Sequence, residues 1–478
     1  MLRRLRPCGL YLALAAACTL AGCQALPLPP AQPPSGAALA VPGGPAVRLQ
    51  GPAGPLGAAQ SQRLLDGLRQ PAQATDIFAH HLAVEVLIAT SPLTTGNAVQ
   101  LLQDGPATYA AMLKAIAGAR DHINLETYIL DDDAVGQRFA QALIDKQAQG
   151  VQVNLIRDSV GTLGTPAAYF ERLQASGVQV LEFNPINPLS AGAGDKGWSP
   201  NQRDHRKLLI VDGQTAFLGG INLSEVYSGG SRSLRRPRPL ATQPPPEGRL
   251  AWRDTDLQLQ GPVVAELQKL FLASWLKQSG APALPRNYFP KPVAAGQQVV
   301  RAVGSSPDDA FSQIYATLLS AIHSAQTSVH VTMAYFAPDP QLLAALQAAA
   351  GRGVDVTLIL PGQSDSWLVL HAGRASYQAL LRAGVKIFER RGVVLHAKTA
   401  LIDGVWSTVG STNLDWRSFL HNQELNAVVL GADFGGQVQR MFERDLAASD
   451  PVLLARWQHR PWGWRLQEWF ARVWEYWL

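Results

Sequence analysis

Two stretches of this 478-residue chain carry the same side chains in the same spacing. The first is His205-Arg206-Lys207, a four-residue run, Asp212, and then Gly219-Gly220-Ile221-Asn222. The second is His396-Ala397-Lys398, a four-residue run, Asp403, and then Gly410-Ser411-Thr412-Asn413. Every shared position recurs at an offset of 191 residues. A lone His-x-Lys is uninformative, but the full pattern twice at constant offset restricts the chain to one folding unit used twice.

The spacing predicts local structure. In an extended segment side chains alternate, so His and Lys of His-x-Lys share a face. The runs Leu208 to Val211 and Thr399 to Ile402 read as buried strands, and each Asp precedes a Gly where a turn fits. A second strand then delivers Gly-[Gly/Ser]-x-Asn, with Gly220 and Ser411 small enough for a ligand to approach the backbone. Each copy offers an imidazole, an ammonium and an amide. Paired, they suit a phosphodiester whose transition state spreads negative charge over its oxygens. Two histidines also allow one to attack phosphorus while the other protonates the leaving alcohol. Lys beside each candidate ligand set repels a cation, so no metal or other cofactor is expected.

The flanking sequence is duplicated too. Ala115 to Tyr128 is echoed by Ala321 to Tyr335, Gly150 to Ile156 by Gly353 to Ile359, and Gly177-Val178-Gln179-Val180 by Gly384-Val385-Lys386-Ile387. Helical stretches alternate with short strands, the α/β pattern. The copies differ by insertion. Gly177 to His205 is 28 residues and Gly384 to His396 is 12, and a second excursion, Ser228 to Arg249, is rich in Arg and Pro. Both are read as loops flanking the first motif.

Both ends are distinctive. Arg3, Arg4 and Arg6 precede an apolar stretch from Cys8 to about Leu20, too short to span a bilayer comfortably. It ends Leu20-Ala21-Gly22-Cys23, a lipobox pattern with cleavage before Cys23 and acylation of Cys23. The other two cysteines, Cys8 and Cys18, lie in the removed segment, so no disulfide is expected. Gln24 rather than Asp follows Cys23, favouring the outer membrane, facing the periplasm. Three of the five net positive charges leave with the signal, and a mature charge near +2 gives no ground for nucleic acid. Residues 457 to 478 hold six of twelve tryptophans. Trp469, Phe470, Val473, Trp474 and Trp477 share one side of an amphipathic helix, to be packed on the domain or laid in a bilayer interface.

The two motifs resemble the paired HKD motifs of the phospholipase D superfamily, over about residues 80 to 450. That resemblance implies two similar α/β domains forming a pseudo-dimer with the active site at their interface. It implies a catalytic set of His205, Lys207, Asp212, His396, Lys398 and Asp403, with His205 the nucleophile, His396 the acid/base, and Asp212 and Asp403 supporting the structure or the histidines. Asn222, Asn413, Gly220 and Ser411 are then expected at the substrate phosphate. Arg203-Asp204-His205-Arg206-Lys207, Trp252-Arg253-Asp254-Thr255 and Asn422-Gln423-Glu424 are similar to bacterial cardiolipin synthases. Glu424 is expected to orient a catalytic His, with Asp256, where many relatives carry His, a second supporting residue. The activity implied is phosphatidyl transfer between phospholipids, with phosphatidylglycerol and phosphatidylethanolamine as candidate substrates at a membrane surface. The alternatives are phospholipase D hydrolysis to phosphatidic acid, an exported nuclease, or a non-catalytic lipid-binding lipoprotein. The expected divisions are a signal (1–22), a Pro/Ala/Gly-rich tether (23–75), the two domains (76–285 and 286–455) and the Trp-rich helix (456–478).

Overall fold

The computed structural model describes residues 26–28, 47–68, 75, 77–186, 199, 201–229 and 250–478. The lipobox and the tips of both insertions lie outside them.

Each half is a mixed sheet with one order. In the first half it runs Gln179–Phe183, Gln152–Asp158, His122–Thr127, Leu208–Val211, Thr215–Gly219, Asp256–Gln260, Leu93–Leu102. In the second it runs Lys386–Arg390, Asp355–Pro361, Ser328–Met333, Lys398–Ile402, Trp406–Gly410, Asn422–Leu430, Gln298–Ser305. The first three strands of each list are parallel and the rest antiparallel. The two terminal strands, Leu93–Leu102 and Gln298–Ser305, pair antiparallel across a bulge and join the halves into one sheet.

Helices Gly105–Gly118, Ala134–Ala148 and Ala167–Ala175 cover the outer face of the first half, and Gln313–Ser324, Pro340–Gly351 and Trp367–Arg382 that of the second. On the inner side lie Val263–Ser279 and Ala432–Ala447. Val264, Leu267, Phe271 and Trp275 recur at helical spacing, as do Phe434, Val438 and Met441. All pack with Ile210, Leu218, Leu401 and Val409 in a core shared by both halves. Burying each such side chain contributes about 1.5–3 kcal/mol, which holds the halves, and hence the motifs, together.

The N-terminal segment corrects two expectations. Within the supposed tether, Leu49–Gly51 pairs parallel with the start of Leu93–Leu102, and Ala58–Gly67 is helical. Leu49 and Leu65 are fully buried, and Ser61 Oγ accepts from Leu49 N at 3.0 Å. These residues, with Ile77, Phe78 and Leu82, pack against Val299, Leu318 and Val331, so they complete the core of the second half rather than begin the first. A few well-placed apolar residues in a Pro/Ala/Gly-rich segment find an existing surface and need no core of their own.

Asp212 and Asp403 are structural. Each occupies a left-handed turn position, at φ 55° and 49°, followed by a left-handed Gly213 or Gly404. The Asp212 carboxylate accepts N–H groups from Arg120, Asp121 and His122 at 2.8–3.2 Å. Asp403 does the same for Gln326, Thr327 and Ser328. Each thus staples its hairpin to the helix-to-strand junction beside it, and of the two expected supports, of the structure or of the histidines, these contacts serve the structure.

Candidate active site

Each His-x-Lys segment is extended and enters its strand at Leu208 or Lys398. Each is clipped to the other half. Arg203–Asp204 runs parallel to Asn422–Gln423, and His205 N donates to Gln423 O at 3.0 Å. Val394–Leu395 runs parallel to Trp252–Arg253, and His396 N donates to Arg253 O at 2.8 Å. These crossed pairings place an acid from each half against the histidine of the other. His205 Nδ1 lies 3.0 Å from Glu424 Oε1, and His396 Nδ1 lies 2.6 Å from Asp254 Oδ2.

A carboxylate only accepts, so in the neutral imidazole the proton sits on Nδ1 and Nε2 carries the lone pair. The lysines share the face of their histidines. Lys207 Nζ and Lys398 Nζ each donate to the backbone oxygen of their own His at 2.5 Å, and Lys398 Nζ lies 3.0 Å from His396 Nε2. Rings wall the site. Tyr128 stands edge-on to His205 with centroids 5.0 Å apart, and Lys207 Nζ is 5.1 Å from its centre. Trp252 and Tyr335 flank His396 at 4.8 and 6.2 Å.

The electrostatics show the motifs converging. Burial pulls His205 down to about 4 against the attraction of Glu424, and Lys398 of the other half lowers it further. Burial does the same to His396, also to about 4, with Lys398 and Lys207 lowering and Asp254 raising it. Burial brings Lys207 to about 7 and Lys398 to about 8, with Glu424 and Asp254 opposing in both. Burial alone would raise Glu424; His205, Lys207 and Ser411 outweigh it and hold the carboxylate at about 2. The imidazoles are therefore neutral at neutral pH. A phosphodiester anion entering between the lysines shifts all four bases towards their charged forms.

Three expectations change here. Gly220 and Ser411 serve the acids. A Cβ on Gly220 would sit 2.3 Å from Asp254 Oδ1, and Ser411 Oγ donates to Glu424 Oε2 at 2.5 Å. The residue is small because a carboxylate must pass it. Gly220→Ala is thus expected to push Asp254 off His396 and to lower turnover about a hundredfold with the fold intact, as checked by kcat beside circular dichroism. Second, Asn222 is engaged. Its Oδ1 accepts from Ile129 N at 3.0 Å and its Nδ2 donates to Tyr227 Oη at 2.9 Å, which lies 3.4 Å from His396 Nδ1. Asn413 Oδ1 accepts from Tyr335 N at 3.3 Å. Third, Asp256 is fully buried, burial with neighbouring Asp254 raises it well above the carboxylate range, and its Oδ1 accepts from Ile221 N at 3.4 Å, so its support goes to the loop after Gly219. Its place matches Asn426, since Gly219 pairs with Asp256 and Gly410 with Asn426. Two residues earlier, Asp254 matches Glu424. Asp254 has no motif of its own in the sequence; superposing the two strands that follow Gly-[Gly/Ser]-x-Asn is the signal that finds it.

The family model described as "Cardiolipin synthase, PLD-like domain" matches twice, over residues 112–228 and 318–446. The chain is 33% identical over 396 residues to a cardiolipin synthase of Geobacillus thermodenitrificans, covering 82% of this chain and 74% of that one. It is 37% identical over 365 residues to cardiolipin synthase A of Pseudomonas aeruginosa, covering 76% and 70%. The crystal structure of phosphatidylserine synthase from Haemophilus influenzae superposes with a TM-score of 0.61 at 13% identity, over 82% of this chain and 97% of that one, which shows the shared fold. A duplicated unit, two interlocked motifs and these likenesses place the chain: it belongs to the PLD-like cardiolipin synthase family of the phospholipase D superfamily and is a phospholipase D-type phosphodiester transferase.

Proposed function

We propose that this enzyme moves a phosphatidyl group between phospholipids through a covalent phosphohistidine, with phosphatidylglycerol as donor and acceptor, cardiolipin as product and phosphatidylethanolamine as a second substrate. One observation carries this reading: each Nδ1 faces an acid from the opposite half, which leaves two Nε2 atoms for two roles. His205 Nε2 attacks phosphorus while the bond to the departing glycerol oxygen breaks, and His396, protonated at Nε2 once the phosphodiester anion is bound, supplies the proton that oxygen takes. The acceptor hydroxyl then gives its proton to His396, attacks phosphorus and frees His205. Lys207, Lys398 and Asn413 face the developing charge on the phosphoryl oxygens. Asn222 acts through Tyr227. The Leu-Ala-Gly-Cys sequence and Gln24 support acylation of Cys23 and a place in the bacterial envelope, at the outer membrane facing the periplasm.

Purified protein given labelled phosphatidylglycerol vesicles, with and without phosphatidylethanolamine, is expected to form cardiolipin resolved by chromatography. Phosphatidic acid alone would make water the acceptor. No product would overturn the lipid reading.

A further inference from the structure

The C-terminal helix is amphipathic in the wrong sense for a helix packed on a domain. Of Trp462–Val473, the residues turned to the protein are Glu468 and Ala471. Glu468 pairs with Arg460 at 2.6 Å, both nearly buried. The apolar face looks outward. Trp462 is 77% exposed, Trp469 65% and Trp477 55%, with Leu466, Phe470 and Trp474 about half exposed beside them. Soluble surfaces rarely concentrate apolar side chains in this way. Arg456, Arg465 and Arg472 are exposed among the indoles.

The patch borders the active site. Phe470 lies 6.4 Å from Trp367, itself half exposed at the start of the helix it packs on. Just before that helix, Asp365 accepts from the hydroxyl of Tyr335, the ring beside His396. At the chain end, Tyr476 packs on Trp416 and His421, and Leu478 O accepts from Arg417 N at 2.9 Å. Arg417 in turn holds Asn201, just ahead of the first motif. A third element reaches the same side. Leu26, three residues after Cys23, is buried, and its carbonyl accepts from Gln341. Gln341 opens the helix capped by Asp339, and Leu26 shares its apolar cluster with Trp416 and, at the edge, Tyr476 of the C-terminal tail.

We propose that this outward aromatic face docks the enzyme on the interfacial region of a phospholipid bilayer and sets the mouth of the active site against it. The proposal rests on the reading that the substrates are membrane phospholipids. Indoles settle at the headgroup level, and arginines among them complement anionic lipids. No helix among the described residues is long and apolar enough to cross a membrane, so contact through this face is interfacial. A chain acylated at Cys23 would enter the bilayer from the same side.

The test compares the unacylated chain beginning at Gln24, which lacks both signal and lipid, with the same chain carrying Trp462→Ala, Trp469→Ala and Trp477→Ala. Vesicles contain equal parts phosphatidylglycerol and phosphatidylcholine, and binding is read by cosedimentation and by quenching of tryptophan emission with brominated acyl chains. The parent is expected to bind and be quenched. The triple variant should lose at least about tenfold in binding and in vesicle turnover, while turnover of dispersed short-chain phosphatidylglycerol stays unchanged. Equal binding by both proteins overturns the proposal, as does equal loss on both substrates. A parent that self-associates, and a variant that is monomeric yet binds vesicles normally, would give the face to a second copy. Vesicle binding without turnover of any lipid would leave the docking face standing and remove the proposed function.

Discussion

His205→Ala and His396→Ala are each expected to lower phosphatidyl transfer by about four orders of magnitude, with the double variant no lower than either. The two imidazoles act as a unit on one phosphorus, so losing either leaves nothing for the other to complete. Their roles separate with an activated substrate. A p-nitrophenyl phosphodiester releases an alcohol that needs no proton, so it should restore much of the first turnover to His396→Ala and none to His205→Ala. A pre-steady-state burst of p-nitrophenolate from His396→Ala, absent from His205→Ala, would support His205 as nucleophile. The opposite pattern would exchange the roles, and equal rescue would remove the division of labour.

The second large effect concerns the acids, and the two are expected to differ. Asp254 Oδ1 accepts from Thr255 N at 2.7 Å while Oδ2 faces His396. In Asp254→Asn the oxygen stays on Thr255 N, so the amide nitrogen turns to His396. That drives the imidazole proton to Nε2 and removes the charge that stabilises the imidazolium. Glu424 is held otherwise. Asn422 Nδ2 donates to Oε1 at 3.1 Å and Ser411 Oγ to Oε2. In Glu424→Gln the oxygen stays towards Asn422 and His205, and the amide nitrogen takes the Ser411 side, where a hydroxyl can rotate to accept but where Oε2 also lay 3.1 Å from His205 Nδ1. One of the two acceptors facing Nδ1 survives, while the charge and the second acceptor are lost. We expect Asp254→Asn to lower kcat by about three orders of magnitude and Glu424→Gln by roughly one to two, with KM little changed in both.

A pH profile distinguishes this from general damage. Glu424 raises His205, whose buried imidazole lies at about 4. The nucleophile must be neutral, so kcat/KM falls on the acid side as His205 takes up a proton. Without the carboxylate the charged imidazole is less favoured, and the acid limb of Glu424→Gln should move to lower pH. An unmoved limb, or equal losses in the two variants, would sink the assignment.

Much of this was legible before any tertiary structure. Alternation placed His and Lys on one face, Asp before Gly marked the hairpin turns, and the constant offset of 191 residues demanded a duplicated α/β unit. These are local rules, in which backbone geometry over a few residues determines the outcome. The partners of Gly220, Ser411, Asn222 and Asp256 were not legible, because a small or polar residue near a motif does not say which neighbour it serves. Asp254 stands 142 residues from His396, and Glu424 stands 219 from His205. Only the register of two short strand pairings between the halves brings them together.

The ends of the chain teach the same point. Leu49 and Leu65 sit in a Pro- and Gly-rich stretch, and their burial depended on a surface offered by the other half. The period of the C-terminal helix identified which residues share a face, and the fold decided that Glu468 turns inward and the indoles outward. Sequence alone determined the chemistry, its duplication and the strands that carry it, because these depend on residue type and short-range geometry. Tertiary structure decided which acid serves which histidine and which surface stays bare, because those follow from long-range packing that no local spacing records.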